Sequence, residues 1–198
     1  MPADPALQSA SSPLRQALTR AADGLLPTQF PAVFNPPLQS LLRQVMTVTR
    51  ASEGAVWVAD PEQVHLLPVV GLGPLAPRYV HRFAQPLETG LVSMVYDSGQ
   101  SFCENDVESH PGHSAMLDTE LGMRTRAMMA VPLYYAGRLR GVLTAVHLAP
   151  PGEAEGDLDE SGRSFTAADL ATFERVGQCL RKLIDLRLLE LLLGWEDS

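Results

Sequence analysis

The twelve residues Asn105-Asp106-Val107-Glu108-Ser109-His110-Pro111-Gly112-His113-Ser114-Ala115-Met116 bring together two carboxylates, two imidazoles, an amide and a thioether, with the thiol of Cys103 just upstream. An imidazole facing a cavity can ligate haem iron, and a thiolate can attack an electrophile. The rest of the chain limits these options. Cys103 and Cys179 lie far apart in unlike contexts, so reduced thiols are expected rather than a disulfide framework. His110, His113 and His147 are the imidazoles available for haem, and lone histidines on a loop or strand commonly cap backbone groups or face water. No Cys/His cluster has the regular spacing of a zinc site. Without such partners the segment reads as a shaped lid, in which Pro111-Gly112 turns the chain.

A lid needs a floor. Two β-prone runs within Thr125 to His147 flank the short turn Tyr135-Ala136-Gly137-Arg138 and predict an antiparallel hairpin. Alternation places Arg126, Met128 and Ala130 on one face and Ala127, Met129 and Val131 on the other. Upstream, Leu38, Leu41, Leu42, Val45, Met46 and Thr49 form a helical stripe. Val64 to Val70 reads as a strand that follows the turn at Asp60-Pro61-Glu62-Gln63. Short helices are expected over Pro77 to Phe83 and Gly90 to Ser98, the latter capped by Gly99, with one helical turn near Ser114 to Leu121.

The termini differ from this centre. Residues 1–12 are read as a disordered lead-in, Pro13 to Leu26 as a short amphipathic helix, and the segment to residue 37, punctuated by Pro27, Pro31, Pro36 and Pro37, as a linker or a wrapped arm rather than a helix. Pro150 to Arg163 is an acidic connection. Thr166-Ala167-Ala168-Asp169 has capping-box spacing, and the helix it starts can run to about Leu193, roughly 40 Å. Phe173, Val176, Leu180, Leu183 and Ile184 can cover a sheet. Leu186, Leu188, Leu189, Leu191, Leu192, Leu193 and Trp195 instead crowd apolar groups all around the last turns, which must then be buried on every side. Either the first helix shields them or two copies pair.

Val131-Pro132-Leu133, followed after the turn by Gly141-Val142-Leu143, resembles the central hairpin of GAF domains, a family of small-molecule sensor modules. The resemblance covers about Leu38 to Ile184, with Ala51 to Val58 similar to the family's entry into its first strand, which pairs with Val64 to Val70 as a first hairpin, and Ser101-Phe102-Cys103 similar to its short edge strand. It implies an α+β fold with a central antiparallel sheet of five or six strands, helices on one face and a lidded pocket on the other. On that layout the pocket walls are expected to be Phe102, Cys103, Asp106, His110, His113, Met116, Arg126, Met128 and His147. The Asp106-Val107, Pro111-Gly112-His113 and Ala115 succession also resembles the free methionine-(R)-sulfoxide reductases, enzymes built on a GAF fold. Their chemistry requires a nucleophilic Cys and normally a second one, but here Met116 follows Ala115 and Gly90-Leu91-Val92-Ser93 stands where a Gly-Val-Cys segment belongs. Phe165-Thr166-Ala167-Ala168-Asp169 resembles the end of the cyclic-nucleotide-binding GAF motif, yet Leu170 replaces its final acid. No Cys-His dipeptide is present for bilin attachment.

Composition bounds the remaining classes. With 198 residues, 45% hydrophobic and 19% charged, one domain with terminal extensions is expected. Fifteen Lys plus Arg against 23 Asp plus Glu give a net charge of -8, which disfavours nucleic acid; Arg124, Arg126, Arg138 and Arg140 straddle a turn among apolar residues. No apolar run reaches membrane-spanning length and no leader is evident, so a cytoplasmic protein is expected. Gly71-Leu72-Gly73-Pro74 is not a dinucleotide fingerprint, and no P-loop, Gly-x-Ser-x-Gly elbow or EF-hand order occurs. The expected protein is a stand-alone sensor that binds an unidentified small molecule and signals through dimeric terminal helices. No cofactor or metal is specified. The alternatives are a thiol-dependent sulfoxide reductase-like enzyme and a dimerisation module without a ligand.

Overall fold

The computed structural model describes residues 5–152 and 164–195. Helix α1 spans Pro5–Asp23, so the helix expected from Pro13 starts earlier and much of the expected disordered lead-in is helical. Ala6, Leu7, Gln8 and Ala10 favour helix, and the propensity of this run outweighs the single amide hydrogen bond that Pro13 removes. The arm that follows is also more helical than expected: a 3₁₀ turn at Pro27–Gln29 leads into the one-turn helix α2, Phe30–Val33. Its anchors are aromatic. Phe30 and Phe34 are buried with ring centroids 5.9 Å apart, and Phe30 lies 5.8 Å from Tyr135.

Asn35 starts helix α3 (Pro36–Thr49) by accepting a hydrogen bond from the Leu38 amide, and Arg50 ends it in the left-handed region at φ 56°. The expected stripe is buried at Leu38, Leu42, Val45, Met46 and Thr49. Strand β1 (Glu53–Ala59) and strand β2 (His65–Leu72) form the first hairpin. Asp60 holds the turn, since one carboxylate oxygen accepts from the amides of Val64 (2.7 Å) and His65 (3.1 Å) while the other lies 3.0 Å from the His65 ring.

Helix α4 (Ala76–Tyr79), strand β3 (Gln85–Pro86), helix α5 (Leu91–Ser98), strand β4 (Phe102–Glu104) and helix α6 (Met116–Leu121) then lead to the central hairpin. Its strands are β5 (Arg124–Tyr135) and β6 (Arg138–Ala149), antiparallel as expected. Helix α7 runs Ala167–Leu193 behind a complete capping box, in which the Thr166 hydroxyl accepts from the Asp169 amide and the Asp169 carboxylate from the Thr166 amide. Of the acidic connection expected over Pro150 to Arg163, residues 153–163 lie outside the described residues.

The six strands form one antiparallel sheet in the order β3-β2-β1-β6-β5-β4. Alternation divides it into two cores. Val56, Val58, Ala127, Met129, Val131, Leu133, Leu143 and Ala145 cluster with the buried residues of α2, α3 and α7. Ala55, Trp57, Met128, Ala130 and Val142 cluster with α4, α5 and α6 on the other face. Gly177 lies where α7 crosses the hairpin, and a Cβ there would make only ordinary contact with Val131 at 3.4 Å and Leu143 at 3.6 Å. Among the described residues no helix is long and apolar enough to cross a membrane.

Candidate functional site

The second face does not close completely. Between the sheet and α4, α5 and α6 lies a cavity of about 70 Å³. Its floor comes from Glu53, Gly54, Ala55 and Trp57 of β1, Thr125 and Met128 of β5, and Thr144, Val146 and Leu148 of β6. Tyr79, Gln85, Leu91, Val92, His113, Ser114, Leu117, Asp118 and Leu121 complete the walls.

Glu53 heads a strand whose other residues are Gly, Ala, Val and Trp, so its carboxylate is drawn inside with them and is 4% exposed. It accepts from the Leu75 amide at 2.7 Å and from the Tyr79 hydroxyl at 3.3 Å. Gly73, at φ 135°, leaves the space this carboxylate occupies, which any Cβ there would enter. Burial pushes the Glu53 carboxyl above its usual range, although the Leu75 and Tyr79 hydrogen bonds oppose the shift. Burial, and then the charge and hydrogen bond of Glu53, push the Tyr79 phenol up as well.

The sign of the resulting pH dependence follows. A carboxyl whose folded value exceeds its unfolded value stabilises the fold below the unfolded value and loses that contribution as pH rises through the folded one. Glu53→Gln should therefore gain thermal stability relative to wild type as pH is raised from about 4 to about 7. Parallel melting curves across that range would remove Glu53 from the account.

Asp118 forms the opposite wall. Its carboxylate accepts from the Thr125 amide at 2.8 Å and the Thr125 hydroxyl at 2.6 Å, and His113 Nε2 lies 3.4 Å away. Across the floor the Trp57 indole donates to the Thr144 hydroxyl at 3.0 Å. The cavity thus offers two carboxylates, an imidazole and hydroxyls among apolar walls, and no cysteine. Among the described residues no group of three or more His, Cys, Asp and Glu is placed to hold a metal ion.

This lidded cavity over an antiparallel sheet coincides with a family match: the family model for the GAF domain matches residues 38–184. The chain belongs to the GAF domain family. No curated protein matches it. Among solved structures, the GAF domain of a phosphoenolpyruvate-protein phosphotransferase from Coxiella burnetii superposes with a TM-score of 0.62 at 16% identity, over 92% of this chain and 95% of that one. The free methionine-R-sulfoxide reductase from Neisseria meningitidis, solved with its substrate, gives 0.57 at 22% identity over 88% and 87%. The GAF-B domain of DevS from Mycobacterium smegmatis gives 0.57 at 16% over 82% and 97%. At these identities the likeness concerns the fold.

Within this GAF domain, two of the nine expected wall residues, His113 and Met128, line the cavity. The others lie elsewhere for identifiable reasons. Cys103 pairs with Met129 and packs with the helix-side core, where burial, then Glu104 and Asp169, push its thiol up. His147 faces that same side because its neighbours Val146 and Leu148 face the cavity; its ring stacks on Phe165 at 4.4 Å. Arg126 falls at a β-bulge between Thr125 and Ala127, which turns Thr125 toward the cavity in its place. Arg126 Nη1 instead meets Glu108 at 3.1 Å. Phe102 packs on the cavity side of the sheet but outside the lining, edge-on to His110 at 5.4 Å, and His110 accepts from the Gly112 amide. Asp106 and Met116 are exposed. Glu53 had a signal in the sequence, a lone charge heading an apolar strand. Asp118 had none, because its role depends on meeting Thr125.

Proposed function

We propose that this GAF domain is a sensor or regulatory module that holds a small molecule in the cavity between sheet and lid and passes its occupancy to the terminal helices. The observation that carries this reading is the cavity itself, in which polar groups converge between mostly apolar walls. A route outward exists in the central hairpin. Its strands carry Thr125, Met128, Thr144 and Val146 at the cavity, and its turn is gripped by both terminal helices. The Ala136 amide donates to Asp185 of α7 at 2.6 Å, the Thr19 hydroxyl of α1 donates to the Ala136 carbonyl at 3.3 Å, and Arg140 donates to Asp23 at 2.7 Å. Signalling through this route requires a ligand that prefers one of two helix arrangements.

The helices supply the output surface. α1 packs against α7 and Leu188 is buried, yet Leu186, Leu192, Leu193 and Trp195 remain 47–71% exposed near the end of α7. Pairing of two copies through this end would cover them. The placement of Cys103 and the absence of cysteine from the cavity lining speak against thiol chemistry there.

A thermal-shift screen of nucleotides, tetrapyrroles, amino acids and other metabolites, followed by sedimentation of the free and bound protein, tests the proposal. A specific compound should raise the melting temperature equally in wild type and Cys103→Ser, and a dimer should become a monomer when Leu192 and Leu193 are both replaced by Glu. Sustained reduction of free methionine sulfoxide with a thiol reductant, abolished by Cys103→Ser, would overturn it.

A further inference from the structure

Resting on that reading of the cavity as a ligand site, we infer that its occupant is an uncharged, apolar molecule of about three heavy atoms. Three observations converge. The first is the state of the polar groups in the wall. The Glu53 carboxylate already accepts from the Leu75 amide and the Tyr79 hydroxyl, and that of Asp118 from the Thr125 amide and hydroxyl. The Trp57 indole N–H is likewise engaged by the Thr144 hydroxyl. A charged ligand would leave its hydration shell and find these groups held by the protein, and an anion would also face two carboxylates.

The second is the rest of the wall. Ala55, Leu91, Val92, Leu117, Leu121 and Met128 present aliphatic or thioether surface, and the Trp57 and Tyr79 rings border the same space. Protein interiors are otherwise close-packed, so a void here leaves dispersion contacts unmade that a bound apolar molecule restores. The flexible Met128 side chain can adjust to its shape. The third is access. Gly90, at the head of α5, and His113, in the lid, line both the cavity and an outer groove that Leu87, Ser93, Met94 and Pro111 border. These two residues mark where the groove meets the cavity. A Cβ at Gly90 would stand 2.9 Å from Gln85 Nε2 and 3.2 Å from the Ser114 Cβ, both wall residues, so the missing side chain keeps that passage clear.

Volume sets the size of the ligand. A cavity of about 70 Å³ is under half of the roughly 150 Å³ that binds benzene or xenon in an engineered protein core, which limits the occupant to about half of benzene's carbon count. Cyclopropane and a single xenon atom are of that size.

The Trp57 indole N–H provides a resonance at the site itself, distinguished from that of Trp195 with the Trp195→Phe variant. The whole chain is titrated with xenon and with cyclopropane, and with methylammonium, acetate and acetamide as charged and polar probes of similar size. Xenon or cyclopropane should shift the Trp57 resonance saturably, while the other three leave it unmoved at tenfold higher concentration. Ala55→Val and Val92→Ile, which add methyl groups at the cavity wall, should each weaken that binding at least tenfold. Should either variant fail to fold, the comparison of apolar and polar probes on the wild-type chain decides alone. If methylammonium, acetate, acetamide or a polar hit from the metabolite screen saturates Trp57 at or below the concentrations that xenon and cyclopropane need, the ligand class is wrong and the ligand site stands. The class also falls if the folded, cavity-filled variants bind the apolar probes as wild type does. If none of these probes or screened compounds moves Trp57, the space holds water alone and both readings fall.

Discussion

Gly141→Ala should cost the fold about 3 kcal/mol and lower its melting temperature by roughly 6–12 °C. Gly141 lies on β6 opposite Val58 of β1, and these are the two middle strands of the sheet. A Cβ at this position would overlap the carbonyl oxygen of Trp57 and stand 3.1 Å from its carbonyl carbon and 3.3 Å from the Val58 Cα. These are backbone atoms, so no rotamer change can make room. The strands would have to part where ladder hydrogen bonds hold them together. Because β1 carries Glu53 and Trp57 and β6 carries Thr144 into the cavity, the same variant should lose ligand-induced stabilisation. Thermal denaturation followed by circular dichroism is the measurement. An unchanged melting temperature would mean that β1 and β6 are not apposed at this register.

Phe173→Ala should cost about 4 kcal/mol and lower the melting temperature by roughly 8–16 °C. Phe173 is fully buried in the early turns of α7, in the same core as Met129, Val131 and Leu143. Truncating it removes a large apolar surface and leaves a void bounded by a helix and a sheet, neither of which can collapse into it freely. Phe173→Leu should recover most of the loss. Hydrogen exchange would separate local from global effects, with protection along α7 falling more than protection in β1. A loss below 1 kcal/mol would contradict the depth at which α7 is seated. The anchor also bears on signalling, since Asp185, three turns farther along the same helix, holds the hairpin turn.

Much of the frame is legible in the sequence. The alternation from Thr125 to His147 around Tyr135-Ala136-Gly137-Arg138, the stripe from Leu38 to Thr49 and the Thr166 cap are local patterns that appear in β5–β6, α3 and α7, although Tyr135 and Arg138 of the expected turn belong to the strands. Period and turn chemistry act over a few residues, so the sequence alone can display them. The two-residue strand β3 was not foreseen, because Gln85 and Pro86 have no periodicity and become a strand only by pairing with Leu66 and His65.

What belongs to the sequence itself is therefore the family hairpin, the helical caps and stripes, and the acidic balance that disfavours a polyanionic partner. The cavity and its lining were decided by tertiary structure. Strand alternation limits which residues can share a face, but the bulge at Thr125–Ala127 shifts that assignment, and no local signal marks it. The polar groups around the cavity are brought together from positions as distant as Glu53, Asp118 and Thr144. A carboxylate's role depends on what it meets and how little water reaches it, and both are properties of the folded arrangement.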